Sequence, residues 1–292
     1  MVVGALLFAS MGVCIKLAAS HFHSFEIVGY RGLIGVLFLL ALTRARGVSL
    51  ATRVPVMHLW RSVVGTISLL TWFYAIAALP LATAMTLNYM SSVWVATFLL
   101  GGALLLQRRR RALRGQTPLF LTVLIGFAGV ALVLRPTFDD AAALGGLAGL
   151  LSGLSAALAY LQVAALARVG EPESRTVFYF SLGATAVGLA GTLVVGFSPL
   201  DTVQALWLIP IGLLAVLGQL CMTRAYASGA TLLVANLQYS GIAFAALYGW
   251  LFFGDRLPLI GWVGMALIVG SGIAATVLRA RAAPRLPAEE HA

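Results

Sequence analysis

The chain has 292 residues, of which 61% are hydrophobic and only 10% charged, and its mean hydropathy is +1.00. That composition excludes a soluble globular domain and points to an all-α polytopic membrane protein. The net charge of +10 comes from cations gathered in connecting segments, where they act as topology signals, so no nucleic-acid partner is expected.

Hydrophobic runs and their breaks predict ten transmembrane helices, near residues 2–20, 24–43, 57–79, 81–105, 116–135, 143–167, 174–197, 203–227, 229–252 and 259–279. A crossing takes about 20 residues at 1.5 Å each, so ten spans with short connections occupy nearly the whole chain. The N-terminal segment has no basic n-region and no cleavage signal, and reads as the first span. Cys14 and Cys221 both fall in spans without metal or redox spacing, which suits inert buried thiols. Arg44, Arg46 and Arg53 follow span two, Arg108 to Arg111 with Arg114 follow span four, Arg168 and Arg175 follow span six, and Arg279, Arg281 and Arg285 end the chain. The positive-inside rule then places both termini in the cytoplasm.

Ser62 to Gln107 is a run of 46 residues with no charged side chain, too long for one crossing. It breaks at Leu79-Pro80, because proline disfavours α geometry in the preceding residue yet fits the first turn of a new helix. The result is a helical hairpin carrying Ser68, Thr71, Trp72, Tyr74, Asn88, Tyr89 and Ser92, groups that are costly in lipid unless they face protein or a wet cavity. The same pattern returns 150 residues later: Thr86-Leu87-Asn88-Tyr89-Met90-Ser91 lies over Asn236-Leu237-Gln238-Tyr239-Ser240-Gly241. Gly126 to Arg135 likewise lies over Gly270 to Arg279, at an offset of 144. A tandem duplication follows, with a first five-helix repeat at 1–140, a second at 141–282 and a cytoplasmic tail at 283–292. Five spans per repeat is an odd number, so the second repeat is inverted, and the basic cluster near residue 110 has no counterpart around Asp255.

Trp72-Phe73-Tyr74-Ala75 before Leu79-Pro80-Leu81-Ala82, the polar helix after it, Gly126-Phe127-Ala128-Gly129-Val130 and Gly254-Asp255-Arg256-Leu257 resemble the EamA branch of the drug/metabolite transporter superfamily. In the first repeat the Gly-Glu-Arg usual in that family is replaced by an arginine run without an acid. The resemblance implies a 5+5 inverted repeat, a central cavity lined mainly by spans three, four, eight and nine, and alternating access. Members of that family mostly export amino acids and other small metabolites, and some import compounds such as riboflavin.

Positions i, i+3 and i+4 share a helix face. Asn88 with Ser92, and Asn236 with Ser240, therefore each form a polar stripe that could line a substrate cavity or simply bond neighbouring helices, and Tyr89 and Tyr239 beside them are the sharpest candidates for substrate contact. Trp72 and Gln219 are further candidates for substrate binding, and Tyr74 suits either the cavity or an interfacial aromatic belt. Glu26 and Arg31 could form a gating ion pair or engage Lys16. Arg61 and Arg224 sit near span ends within snorkelling reach, where a structural role is preferred to contact with an anionic substrate. Gly145, Gly149 and Gly153 form a ridge that favours close helix packing.

The expected function is export of small metabolites, with amino acids the best guess. Import of an aromatic vitamin or riboflavin-like heterocycle is the alternative. A membrane-embedded enzyme is the remote one, since no mid-span histidine or carboxylate supplies a catalytic base. No metal and no cofactor is expected; the partners are a small-molecule substrate and the lipid bilayer, and the carrier is expected to be a monomer. No acid lies deep in a span, so a facilitator without proton coupling is expected.

Overall fold

A computed structural model describes residues 1–95, 97–98, 117–134, 140–199, 201–228, 234, 237–256 and 258–282. The regular elements among them are helices: α1 (Val2–Ala18), α2 (Ser24–Ala45), α3 (Pro55–Ala78), α4 (Leu81–Tyr89), α5 (Thr117–Leu134), α6 (Asp140–Arg168), α7 (Glu173–Val195), α8 (Thr202–Ala205), α9 (Leu208–Ser228), α10 (Ser240–Phe253) and α11 (Leu259–Ala282). Among the described residues, five stretches are long and apolar enough to cross a membrane: Ser24–Ala45, Pro55–Ala78, Ala142–Arg168, Glu173–Val195 and Thr202–Ser228. The basic cluster at 108–114, Asp139, Asn236 and the 283–292 tail lie outside the described residues.

Local chemistry sets the helix ends. Pro55 occupies the first turn of α3, and Pro80 caps α4 after the extended Leu79, as the hairpin reading expects. Glu26 and His23 form a capping box at the start of α2, and the Asp201 carboxylate accepts from Val203 N at 2.9 Å to start α8. The eighth expected span divides into α8 and α9 at Leu206-Trp207. Pro210 has no N–H to give the carbonyl four residues back, so a continuous helix would lose that bond.

The helices pack in a regular pattern. α2 lies along α7, α3 along α6, α5 along α11 and α1 along α9, while α10 lies against both α1 and α4. Small residues bring these axes together. The expected ridge on α6 meets the hairpin: a Cβ on Gly145 would stand 2.8 Å from Ala78 Cβ, and one on Gly153 2.5 Å from the Leu87 carbonyl oxygen. A second seam joins α2 to α7, where a Cβ on Gly32 would lie 2.6 Å from Thr185 N and one on Gly35 2.7 Å from Ser181 Oγ.

Loops are fastened at both ends of the bundle. The segment between α2 and α3 is tied to the α6–α7 corner. Thr52 Oγ1 donates to Glu171 at 3.0 Å, Arg175 donates to Glu171 at 3.1 Å and to the Ser49 carbonyl at 2.8 Å, and His58 Nε2 stands 3.1 Å from Glu171. At the other end, Glu26 accepts from Ser198 N at 2.9 Å and from Ser198 Oγ, and His21 Nε2 donates to the Pro199 carbonyl at 2.6 Å.

Glu171 has a testable pH signature. Burial pushes its carboxyl up, but hydrogen bonds from Thr52, His58 and Arg175 more than offset this and hold it below its ordinary 4.5. A depressed carboxylate contributes stability that is fully present above its unfolded value and is lost as pH falls through the lower folded one. The detergent-solubilised protein should therefore lose part of its Tm below about pH 4.5. Glu171→Gln should lower the Tm at neutral pH and flatten that acid limb. An acid limb of the same steepness in the variant would assign the loss to other groups.

Candidate functional site

A cavity lies where α1, α3, α4, α6, α7 and α9 converge. It encloses about 40 Å³ of space open to water and is lined in part by Arg61, Trp72, Asn88, Tyr89, Tyr160, Phe180 and Gln219. That is room for about three water-sized positions, so a metabolite-sized cargo needs the helices to part further.

One wall is amide and hydroxyl. Asn88 Nδ2 donates to Ser152 Oγ at 3.1 Å, Ser152 Oγ donates to the Gly149 carbonyl at 2.7 Å, and Ser68 Oγ donates to the Ser152 carbonyl at 2.9 Å. The glycine ridge makes this possible, because only a backbone without side chains lets α6 approach Leu87 and Asn88 so closely. A second wall is aromatic. Trp72 meets Phe8 edge-on with centroids 6.4 Å apart, and Tyr160 stacks on Tyr226 at 5.3 Å. Gln238 Nε2 donates to Tyr160 Oη at 2.9 Å, and Tyr226 Oη donates to Gln238 Oε1 at 3.4 Å, so one amide fixes both rings.

The third wall is cationic. Arg61 is 3% exposed, with Cζ 4.0 Å from the Phe180 ring centroid, and its Nη2 reaches Gln219 Oε1 only at 3.5 Å. Arg31, also 3% exposed, stands over the same ring at 5.4 Å but outside the cavity lining. Among the described residues, Nε and Nη1 of both arginines, Trp72 Nε1 and Tyr89 Oη are buried without a hydrogen-bond partner. Buried polar groups of this kind normally have partners, so these donors are available to an acceptor that enters the cavity.

Comparison with known proteins agrees with a membrane carrier. The chain is 32% identical to the pseudopaline exporter of Pseudomonas aeruginosa over 274 residues, 94% of this chain and 93% of the exporter. It belongs to that transporter family. It is also 30% identical over 246 residues to a riboflavin transporter of Rhizobium johnstonii, covering 82% of this chain and 77% of the relative. A transporter of Helicobacter pylori is 28% identical over 278 residues, 92% of this chain and 90% of its own. One solved crystal structure matches 97% of the chain and 96% of its own length at a TM-score of 0.67 and 20% identity, which shows a shared fold. No family profile matches the chain.

Within this transporter fold, the expected cavity residues divide. Trp72, Asn88, Tyr89 and Gln219 line the cavity together. Tyr239 is buried toward α11 against Gly272, and its hydroxyl approaches Ser92, so these two join the halves beside the cavity. Ser240 turns back to the Leu237 carbonyl at 2.7 Å, and Asn236 lies outside the described residues. Tyr74 is 41% exposed, which fits the aromatic belt.

Glu26 and Arg31 do not meet. Glu26 is taken by His23 N and Ser198, Arg31 turns to Phe180, and Lys16 pairs with Asp255 at 3.4 Å. Arg224 is exposed, as a snorkelling side chain should be, but Arg61 points inward. Tyr160, Phe180 and Gln238 were not expected at the site. Gln238 carried a signal all the same, since it holds Asn88's place in the repeat alignment.

Proposed function

We propose that the chain is an EamA-type drug/metabolite carrier of the bacterial inner membrane, with both termini cytoplasmic. It exports small amino-acid-like metabolites by alternating access around this cavity. The observation that carries the reading is a buried polar and aromatic cavity enclosed by helices from both halves of an apolar chain, in a family that includes a named exporter. The packing supports a 5+5 inverted repeat. Exchange α1 to α5 with α6, α7, α9, α10 and α11 in order, and α3 on α6 becomes α9 on α1, while α1 on α10 becomes α6 on α4. The pairs α2 with α7, α4 with α10 and α5 with α11 map onto themselves. Rocking one half against the other about such an axis would open the cavity to either side in turn.

The energetics favour a facilitator. Described acids stand at helix ends or in connections, and Glu26, the most buried at 1% exposed, is already bonded to Ser198 and His23. None lines the cavity, where protonation could bias the two access states. Metabolites secreted by cells that overexpress the protein should be enriched in one polar class, and cells lacking it should lose that secretion. Reconstituted protein should then equilibrate the enriched compound across liposomes with no imposed pH difference. Uphill accumulation driven by a pH gradient and abolished by Glu26→Gln would refute the facilitator.

The stacked Tyr160 and Tyr226, with Trp72 beside them, also favour a second reading, import of a planar heterocycle. Faster uptake without secretion would select it.

A further inference from the structure

We propose that the cargo is an anion carrying a carboxylate, that Arg61 receives that carboxylate, and that Arg31 acts behind Phe180 as a positioning residue. This rests on the carrier reading and adds the chemistry of what is carried. Arg61 is the seventh residue of α3 and Arg31 the eighth of α2. Each therefore begins about 9–11 Å inside its helix at 1.5 Å per residue, and neither is snorkelling, since both are 3% exposed. Among the described residues, no carboxylate lies within 4.0 Å of either guanidinium. The ion pairs found are Lys16 with Asp255, His58 with Glu171 and Arg175 with Glu171.

Two buried cations that share one phenyl ring are a poor resting arrangement. Cation–π contact offsets only part of the lost hydration, and the two guanidiniums repel. A structural arginine would instead have its donors spent on carbonyls or an acid. Here, among the described residues, Nε and Nη1 stand idle on both, and Trp72 Nε1 and Tyr89 Oη add two more unpartnered polar groups to the cavity that Arg61 lines. The missing partner is thus a negatively charged acceptor. The planar guanidinium fork matches a carboxylate bidentately. The open space, about three water-sized positions, suits its three heavy atoms better than the five of a phosphate. Asn88 and Gln219 can orient the neighbouring polar part of the cargo, and Trp72 and Tyr160 its apolar part.

The test uses the purified full chain in detergent, with succinate, its uncharged diamide and inorganic phosphate as probes at matched ionic strength. Succinate should raise the Tm, the diamide should leave it unchanged, and phosphate should act more weakly. Arg61→Gln should weaken succinate by about tenfold or more. It should leave the ligand-free Tm equal or higher, because it removes an uncompensated buried charge. Arg61→Lys keeps the charge without the fork and should bind succinate several-fold more weakly than wild type. Arg31→Gln should cause a smaller loss that Arg31→Lys restores, an outcome that a merely structural arginine would not give.

Equal shifts with succinate and diamide, or a succinate shift that survives Arg61→Gln, would overturn the proposal. A shift with phosphate alone would replace carboxylate with a phosphoanion. The carrier reading fails separately: succinate would bind, yet no metabolite would be moved. Conversely, an uncharged cargo exported at the wild-type rate by Arg61→Gln would remove the anion site and leave the carrier.

Discussion

Gly188→Leu should leave little folded protein in the membrane. Gly188 stands where α7 crosses α2, and a Cβ there would fall against Gly29 N, 2.5 Å from Gly29 Cα and 2.8 Å from the Phe25 carbonyl oxygen. These are backbone atoms, which cannot turn aside as a flexible side chain would. The whole seam would have to open, and with it the contacts of Gly32 with Thr185 and of Gly35 with Ser181. Overpacking usually costs about 1–3 kcal/mol, and a branched side chain against backbone belongs at or above the top of that range. Since about 1–2 kcal/mol already changes cellular abundance several-fold, membrane levels and Tm should both fall sharply. Gly270→Leu is the control, because among the described residues nothing lies within 4 Å of a Cβ built there; it should be tolerated. Equal abundance of the two variants would show that the α2–α7 seam does not limit folding.

The contrast between those glycines explains what the sequence could reveal. The GxxxGxxxG spacing on α6 is regular, so its packing role was legible. The α2 glycines are spaced by three and their partners are Ser181, Thr185 and Gly188 on a helix some 150 residues away, a match that only the fold displays. The hairpin break at Pro80 and most helix limits followed from proline and hydropathy, which act locally. The α8–α9 break at Leu206-Trp207 also has a local cause, Pro210, but the apolar run around it hid the interruption.

Four of the expected site residues line the cavity on the same logic. Asn88, Tyr89, Trp72 and Gln219 are polar or amphipathic groups at mid-span, and burial left them few places to face except the cavity. Arg61 was harder to read. At a span end the inexpensive choice for arginine is to snorkel, and the inward turn depends on Phe180 from α7, a tertiary contact with no trace in local spacing. Glu26 and Arg31 are five residues apart, which suggested a pair. But Glu26 sits at N3 of α2, where the capping box and Ser198 claim it.

Asp255→Asn should loosen the junction that joins α1, α4 and α10. Gly254 ends α10 in the left-handed region at φ 62°, and that turn lets Asp255 N reach back to the Gly249 carbonyl at 3.0 Å. The Asp255 carboxylate is thereby aimed at the other half. It accepts from Leu81 N, the first residue of α4, at 3.1 Å and from Lys16 Nζ at 3.4 Å. Lys16 in turn donates to the Leu79 carbonyl at 3.2 Å and lies 4.8 Å from the Phe253 ring centroid. A carboxylate at a helix N-terminus is favoured by the helix dipole, and both partners here are mostly shielded, at 17% and 18% exposed. Asparagine keeps the shape and one acceptor but removes the charge, a loss of about 1–2 kcal/mol for a partly buried contact of this type. That corresponds to roughly a 5–30-fold shift in an equilibrium between closed and open arrangements. Cys14 is a native reporter, buried at 8% exposed and two residues from Lys16. With Cys221 replaced by serine, maleimide should label Cys14 about 5–30 times faster in Asp255→Asn than in its parent, with Lys16→Met giving a similar gain. Unchanged labelling in both variants would mean that the junction stays closed without its charges.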